Sequence, residues 1–302
     1  MKNIPPTLIL GKIDIQTKRK LTDLFIYVYS TYSYYLELFN SIGISRSDIL
    51  SEDPISILQS LPILNSRSFT RLGEEALQRE RNIVDIETTS GTTGPRKKRF
   101  ISIHDDEAES EMLIKLLKIC GVTTKDSVAC IDTDPLTLMT SFTKALDLMN
   151  VKESYMMCAG PNFENSVDDL SKVEPTVLIT IPSIIERCMP YLIMALKDKK
   201  FSNLSKIIYA GESISQKSRD ILESLFNVEV FGYYGTTETS ALGIECEAHS
   251  GIHLYSERNV VELRCNSRSN YTGEIIITTL SHKTMPLLRY ETKDIVQYIP
   301  EA

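Results

Sequence analysis

Residues 89–98, with the sequence TSGTTGPRKK, combine hydroxyls, glycines and cations that could bind a polyphosphate. Glycines 91 and 94 let the backbone turn and let its amides approach a ligand closely. The side chains that can donate to phosphate oxygens or supply positive charge are Thr89, Ser90, Thr92, Thr93, Arg96, Lys97, Lys98 and Arg99. A Walker A loop requires Gly-Lys-[Ser/Thr] five residues after its first glycine, and residue 96 is Arg. Alone, the segment fits a phosphate loop and an ordinary solvated loop equally well.

Three further segments carry polar groups that could bind a ligand, and two of them contain glycine. In FGYYGTTE, residues 231–238, an aromatic ring could stack on a base and Glu238 could hold a hard cation, although a tight turn explains the same residues. Gly211 and Glu212 follow a predicted strand, where open α/β sheets bind ligands. In PLLRYETKD, residues 286–294, Asp294 could bond to ribose hydroxyls.

The elements that must position these residues follow a regular pattern. A helix is expected over residues 17–40, and another over 72–80. From about residue 82, short β-rich runs alternate with amphipathic helices, which predicts an α/β fold with parallel strands and helices on both faces. The expected strands are 83–86, 127–131, 176–181, 207–209 and 228–231, and the expected helices are 107–120, 137–149, 184–197 and 216–226. After residue 250 only strands are expected, over 252–255, 260–264, 274–279 and 295–298, with a turn at 266–273.

The composition limits the class of protein. The 302 residues carry a net charge of −7, which argues against a nucleic-acid-binding protein, since such domains are usually basic. No apolar run approaches the roughly 20 residues of a transmembrane helix, so no membrane span is expected. The N-terminus is a poor signal peptide because two prolines interrupt its apolar stretch. Six scattered cysteines are typical of reduced thiols, and the expected location is cytoplasmic.

The order of the four polar segments resembles the adenylate-forming (acyl-activating) superfamily, most closely its phenylacetate–CoA ligase-like branch. That family has [Thr/Ser]-Ser-Gly-Thr-Thr-Gly, matched by residues 89–94, and Tyr-Gly-x-Thr-Glu, matched by 234–238. Its Gly-Glu segment resembles 211–212, and its Arg-Tyr-x-Thr-x-Asp motif resembles 289–294. The resemblance covers nearly the whole chain, including a helical N-terminal part.

The resemblance implies a fold and a domain order. The fold would be the N-terminal large domain of adenylate-forming enzymes, with mixed sheets flanked by helices and a β-rich part near the C-terminus. Residues 1–81 would form a helical lead-in, 82–250 an α/β nucleotide-binding core, and 251–302 a β-rich subdomain. The family's C-terminal lid domain, which carries a lysine that assists adenylation, is expected to be absent.

The resemblance also implies a reaction. ATP and a carboxylic acid would give an acyl adenylate and pyrophosphate, for transfer to CoA, a carrier-protein thiol or another acceptor. The catalytic residues would be Thr237, at the α-phosphate, and Glu238, which helps to hold Mg²⁺. The nucleotide, ATP or AMP, would be bound by Thr89, Ser90, Gly91, Thr92, Thr93, Gly94, Lys97, Gly211, Glu212, Tyr234, Gly235 and Asp294, with Tyr234 stacked on adenine and Asp294 on the ribose. Mostly medium-sized apolar residues around the expected acid pocket favour an aromatic or short acyl acid.

Two departures from the family pattern matter. Glu291 lies where the family commonly has a cation, and a negative charge near a nucleotide is unfavourable. The expected absence of the lid removes its lysine, which a separate C-terminal domain or partner protein, or a local cation such as Lys293, could replace. Three hypotheses therefore stay open: an adenylating enzyme, a non-catalytic nucleotide- or acyl-adenylate-binding protein or subunit, and a remnant that keeps only the fold.

A zinc site is a separate prediction. Cys246, His249, His253 and Cys265 fall within twenty residues and are ligand types that suit Zn²⁺. Their spacing matches no known zinc motif. The alternative interpretation places Cys265 in a strand core and a histidine at the surface.

Overall fold

The computed structural model describes residues 7–89, 96–133, 138–198, 200–267 and 271–300, with residues 138–140, 266 and 267 described as backbone. The helices are α1 (Ile15–Thr31), α2 (Ser33–Ser41), α3 (Arg46–Ser51), α4 (Pro54–Ser60), α5 (Ser66–Arg79), α6 (Ile103–Ile119), α7 (Leu138–Met149), α8 (Phe163–Lys172), α9 (Pro182–Lys197) and α10 (Gln216–Phe226). The strands are β1 (Thr7–Ile9), β2 (Ile83–Thr88), β3 (Lys98–Ser102), β4 (Ser127–Asp132), β5 (Glu153–Cys158), β6 (Val177–Thr180), β7 (Lys206–Tyr209), β8 (Glu229–Thr236), β9 (Ser240–Glu245), β10 (Ile252–Leu254), β11 (Asn259–Ser267), β12 (Thr272–Thr279) and β13 (Tyr290–Gln297).

The chain divides into two compact units that are not continuous in sequence. The first contains Met1–Asp106, the short turn Thr237–Thr239 and Tyr255–Ala302. The second contains Glu107–Thr236 and Ser240–Leu254. The division at residues 82 and 251 stays a prediction.

Helices α1, α3, α4 and α5 of the first unit begin at residues whose side chains cap them. Asp14 accepts a hydrogen bond from the Thr17 amide at 2.7 Å, and Asn65 caps α5 in the same way. Such caps satisfy amides that have no partner within the helix. The single helix expected over residues 17–40 is wrong: the chain leaves helical geometry at Tyr32, with φ −110° and ψ 121°, and restarts as α2.

The core of the first unit joins these helices to the C-terminal part of the chain. Phe25, Phe39 and Phe69 are fully buried in one apolar cluster with Leu287 and Leu288. Buried tyrosines also reach the backbone of that segment, as the Tyr35 hydroxyl does when it donates to the Pro286 carbonyl at 2.7 Å. The packing of the helices therefore fixes the segment that leads into β13.

Two sheets lie in the first unit. Strands β1, β11, β12 and β13 form an antiparallel sheet in that order, and β2 pairs with β3. The turn expected at residues 266–273 is too long, because β11 continues to Ser267 and β12 begins at Thr272; residues 268–270 lie outside the described part of the chain. The β-rich C-terminal part is confirmed.

The second unit is built on a seven-stranded sheet in the order β10-β9-β8-β7-β6-β4-β5. Strands β4, β5, β6, β7 and β8 are parallel, and β9 and β10 continue the sheet as antiparallel strands. Every residue of β4 and β6 is buried, as expected for central parallel strands. The predicted mixed α/β fold is confirmed.

Some elements were not predicted from the sequence. Strand β5 is at the edge of its sheet and only half-buried, so ESYMMC lacks the apolar run of a central strand. The amphipathic helix α8 follows β5 and was missed with it. Strand β8 extends to Thr236, into residues expected to form a loop, because it pairs with β9. Among the described helices, none is long and apolar enough to cross a membrane.

Candidate active site

The described ends of the segment 89–97 are held together by two hydrogen bonds. The Thr89 amide donates to the Lys97 carbonyl at 3.0 Å, and the Lys97 amide donates to Thr89 Oγ1 at 3.0 Å. These bonds continue the β2–β3 ladder, in which Thr88 faces Lys98. Ser90, Gly91, Thr92, Thr93 and Gly94 lie outside the described residues. The start of the predicted phosphate segment and its lysine are therefore adjacent.

Lys97, Glu238 and Tyr290 form a closed triangle of polar contacts within the first unit. Lys97 Nζ forms an ion pair with Glu238 Oε1 and donates to the Tyr290 hydroxyl at 3.0 Å. The Tyr290 hydroxyl in turn donates to Glu238 Oε1 at 2.9 Å. Lys97 and Glu238 are 141 residues apart in sequence. The fold thus brings the cation of the loop segment onto the carboxylate predicted to hold Mg²⁺.

Tyr290 was not among the predicted site residues, although it lies in the predicted 289–294 motif. Its side chain is 2% exposed and its ring packs on Phe69, with 5.6 Å between ring centroids. Burial, reinforced by the Glu238 carboxylate, raises the pKa of Tyr290 well above its usual value. The hydroxyl is therefore protonated and acts as a donor to Glu238. The sequence signal was its place beside Arg289 in the motif. Its contact with Glu238 became evident only from the structure.

Arg289 anchors the chain immediately before Tyr290. Its guanidinium is fully buried against Glu262, with Nε to Oε2 at 3.0 Å and Nη2 to Oε1 at 2.9 Å. It also donates to the Gln59 carbonyl at 2.9 Å. Because Arg289 adopts a positive φ of 54°, its position depends on these partners. Arg289 is thus a structural residue that positions Tyr290.

Asp294, the predicted ribose ligand, is an exposed residue of β13. It lies within an irregularity in the pairing of β12 with β13, between Glu291 and Ile295, where Lys293 adopts a positive φ of 71°. The Asp294 amide donates to Thr292 Oγ1 at 3.1 Å. An irregular strand of this kind redirects side chains away from the regular alternation.

Glu291 has a local partner for its charge. Arg264 Nη2 lies 3.4 Å from Glu291 Oε2 and also forms an ion pair with Glu274. These three side chains come from adjacent strands of the antiparallel sheet. The negative charge that departs from the family pattern is thus offset within the sheet by Arg264.

The segment 234–238 spans the end of β8 and the turn that joins it to β9. Tyr234 is half-buried, and the pairing with β9 shifts between Tyr234 and Gly235. A Cβ at Gly235 would lie 2.8 Å from the Ser240 carbonyl oxygen, so the turn requires glycine there. Thr237 and Glu238 lie in the turn itself, which groups with the first unit.

Gly211 and Glu212 come just after β7, which ends at Tyr209, as predicted. Gly211 has a φ of 79°, a conformation that favours glycine. Glu212 Oε2 accepts a hydrogen bond from the Ser183 amide at 3.1 Å, in the first turn of α9. The N-cap residue of α9, Ile181, offers no side-chain acceptor. Glu212 therefore caps a helix that follows the neighbouring strand β6.

The predicted zinc site finds no support, since no group of three or more metal-ligating side chains occurs among the described residues. His253 Nε2 lies 3.1 Å from Cys246 Sγ, and this pair stands without further ligands. His249 Nδ1 instead lies 3.1 Å from Arg219 Nη1. Cys265 belongs to the other unit, and its thiol points to the Leu263 carbonyl at 3.9 Å. Closeness in sequence is therefore not enough to predict a zinc site here.

His249 is instead part of a buried polar network at the base of β8. Arg219 Nη2 donates to Glu245 Oε2 at 2.6 Å, and the Gly232 amide donates to the same oxygen at 2.7 Å. The Tyr209 hydroxyl accepts from Arg219 at 3.3 Å. A Cβ at Gly232 would lie 2.5 Å from that hydroxyl. This network fixes β8 beside β7, ahead of Tyr234.

Comparison with solved structures identifies the fold. The crystal structure of an open conformation of 2-hydroxyisobutyryl-CoA ligase, in complex with 2-HIB-AMP and CoA, superposes with a TM-score of 0.77 at 14% identity and covers 92% of this chain and 69% of that one. A second structure of that ligase, in the postadenylation state, gives a TM-score of 0.76 at 15% identity, covering 93% and 63%. The fold is that of the adenylate-forming ligases.

Comparison with curated proteins and with a sequence family gives the same result. The phenylacetate-coenzyme A ligase of Aromatoleum evansii is 21% identical over 286 residues, which cover 91% of this chain and 64% of that protein. The corresponding ligase of Escherichia coli (strain K12) is 22% identical over 232 residues, or 72% and 52%. The chain thus spans less than two thirds of the length of either relative. The resemblance to this branch is confirmed.

The pattern of the AMP-binding enzyme family matches residues 44–260, most of the chain. The chain therefore belongs to the AMP-binding enzyme family.

Proposed function

We propose that the chain activates a carboxylic acid with ATP, forming an acyl adenylate and releasing pyrophosphate. The observation that supports this most directly is the meeting of Lys97, Glu238 and Tyr290. A cation next to the loop segment and a largely buried carboxylate are the two charges that a metal–triphosphate substrate requires. Both come from segments that the family resemblance assigns to the nucleotide.

The residues divide the work of nucleotide binding. Lys97 and the loop 89–94, in the first unit, bind the β- and γ-phosphates. The family resemblance assigns Tyr234, Gly211 and Glu212 to the adenine. Asp294 binds the ribose hydroxyls, and Thr237 contacts the α-phosphate. Glu238 fits as a ligand for Mg²⁺, since its side chain offers hard oxygens and is only 12% exposed. Mg²⁺, when bound, would neutralise negative charge on the phosphates.

The reaction needs positioning more than a strong base. A carboxylate oxygen of the acid forms a bond to the α-phosphorus, and the bond between that phosphorus and the bridging oxygen of the β-phosphate breaks. Pyrophosphate leaves with the electron pair, so no proton has to move. Holding the acid and the α-phosphate in line, with fixed charges around the phosphates, lowers the barrier.

The acid is an aromatic or short acyl acid. In the second unit, the rings of Phe142 and Tyr233 meet edge to face with 5.5 Å between centroids. Tyr209, whose pKa is raised by burial, lies at the end of β7. We place the acid beside these aromatic side chains, which would favour a small, flat or branched apolar acid over a long chain. The adenylate then passes to CoA, to a carrier-protein thiol or to another acceptor.

Exchange of labelled pyrophosphate into ATP tests the proposal. A panel of aromatic and short-chain acids should include one that supports exchange, and Glu238→Gln should lower its rate about 100-fold, as expected for loss of one key charge. Calorimetry with ATP separates the outcomes. ATP binding with no exchange for any acid would favour a non-catalytic nucleotide-binding protein. No ATP binding would contradict both functions.

A further inference from the structure

The Glu238 carboxylate is held at one oxygen by two groups of different mobility. Both Lys97 Nζ and the Tyr290 hydroxyl contact Oε1. Lys97 reaches it with a long side chain that is 19% exposed and extends from the end of the loop segment. Tyr290 is 2% exposed. Lys97 can turn about its flexible side chain without a movement of the backbone, whereas Tyr290 cannot move without disturbing the core.

Three independent contacts fix Tyr290. Its backbone pairs with Ile277 of β12 and forms a bridge to Leu64. Its ring packs on Phe69, and the residue before it is the buried Arg289. The hydroxyl is therefore placed by the sheet and the helical core, independently of the loop 89–97.

We propose that Tyr290 is a positioning residue that orients Glu238 for a divalent cation. The inference rests on the proposed function, because the cation is the Mg²⁺ that accompanies ATP. Lys97 occupies Oε1 before ATP binds and turns to the triphosphate afterwards. Tyr290 keeps its bond to the carboxylate throughout and presents the second oxygen, Oε2.

The physical basis is the behaviour of carboxylates around metals. A carboxylate that ligates a metal is itself hydrogen-bonded, and loss of such an outer partner typically costs about 10- to 100-fold in metal affinity or activity. A lysine ammonium cannot serve as this partner during the reaction, since it repels the metal and is needed by the phosphates. A neutral phenol donor has neither drawback.

Tyr290→Phe separates positioning from packing. The substitution keeps the ring on Phe69 and removes only the hydroxyl. A matched control is Tyr34→Phe, which removes a partly buried hydroxyl that bonds instead to Ser68 Oγ at 2.8 Å. Glu238→Gln removes the metal ligand itself. Thermal unfolding of all three variants checks that each is folded.

The measurement is the affinity for ATP, by calorimetry, from zero to saturating Mg²⁺. In wild-type protein and in Tyr34→Phe, Mg²⁺ should tighten ATP binding with the same half-saturation. In Tyr290→Phe, the Mg²⁺ concentration at half-saturation should rise about tenfold, while affinity for ATP without Mg²⁺ stays the same. Glu238→Gln should abolish most of the Mg²⁺ effect. A purely structural role for the hydroxyl would leave the Mg²⁺ dependence unchanged.

Each outcome decides something. A folded Tyr290→Phe protein with wild-type Mg²⁺ dependence overturns the inference and leaves the proposed function intact. Mg²⁺-dependent ATP binding that weakens in Tyr290→Phe, with no acid-dependent pyrophosphate exchange, supports the inference and contradicts the catalytic function. A wild-type protein that binds no ATP overturns both.

Discussion

Arg289 and Glu262 form a bidentate ion pair in which both side chains are almost completely buried, at 1% and 0% exposure. Their two hydrogen bonds, of 3.0 Å and 2.9 Å, join the first residue before β13 to the middle of β11. The same guanidinium donates a hydrogen bond to the Leu61 carbonyl, a few residues before α5. One buried charge pair therefore ties the helical part of the first unit to its sheet.

Removing one member of this pair should be strongly destabilising. We expect Arg289→Met to lower the free energy of unfolding by about 3–5 kcal/mol, because Glu262 would stay buried without its partner. Urea denaturation measures the change. The exposed pair Lys172–Asp169 is the control, and Lys172→Met should cost no more than about 1 kcal/mol. Equal effects of the two substitutions would contradict the structural role of Arg289.

Lys97 and Lys98 should differ sharply in nucleotide binding, although they are neighbours. Lys97 reaches Glu238 and Tyr290, whereas the side chain of Lys98 is exposed on β3. We expect Lys97→Met to raise the Kd for Mg·ATP about 10- to 100-fold, the value of a charge-assisted hydrogen bond. Calorimetry should show a change of less than about threefold for Lys98→Met, since exposed charges are screened. A similar loss of Mg·ATP affinity in Lys97→Met and Lys98→Met would mean that net charge, and not the contacts of Lys97, causes the effect.

Gly235 should tolerate no side chain. We expect Gly235→Ala to destabilise the protein by about 1–3 kcal/mol and to reduce pyrophosphate exchange, because a Cβ would lie 2.8 Å from the Ser240 carbonyl and displace the turn that carries Glu238. Gly160→Ala is the control, since nothing lies within 4 Å of a Cβ built there. Chemical denaturation and exchange assays measure the two effects. A stable, fully active Gly235→Ala protein would exclude a strict requirement for the turn geometry.

His282 should make stability fall as the pH is lowered. Burial, with repulsion from Arg99, lowers the pKa of His282 from 6.5 to about 3, against the opposing effect of Asp105. Between these values the unfolded chain binds a proton that the folded chain does not, so the free energy of unfolding decreases on acidification, by up to about 1.4 kcal/mol per pH unit. Above pH 6.5 this contribution is constant.

Substitution of His282 isolates this contribution. His282→Gln removes the titrating group, so the dependence of stability on pH between 6.5 and about 4 should become shallower. The wild-type protein is the reference for this slope. Urea midpoints at several pH values measure both. An identical slope for wild-type and His282→Gln proteins would mean that carboxylates alone set the acid sensitivity.

The sequence by itself determined the class of fold and the order of the polar segments. Central strands such as β4 and β6 were recognisable because they are buried on both sides and must be continuously apolar. Motifs made of contiguous residues, such as 234–238, were also recognisable, since a tight turn needs glycine at a fixed position. The edge strand β5 was not, because exposure removes the apolar pattern.

Only the tertiary structure decided which distant residues meet. Tyr290 was an unremarked residue of a motif until the packing of α5 and β13 buried it and placed its hydroxyl on Glu238. Of the four residues expected to bind zinc, only Cys246 and His253 contact each other, while His249 and Cys265 have other partners. Glu291, unfavourable in the motif, is balanced by Arg264 from a neighbouring strand. For Tyr290 and Glu291 the deciding quantity is a contact between segments far apart in the chain. The spacing of residues within a motif does not predict such contacts, because they depend on how the whole core packs.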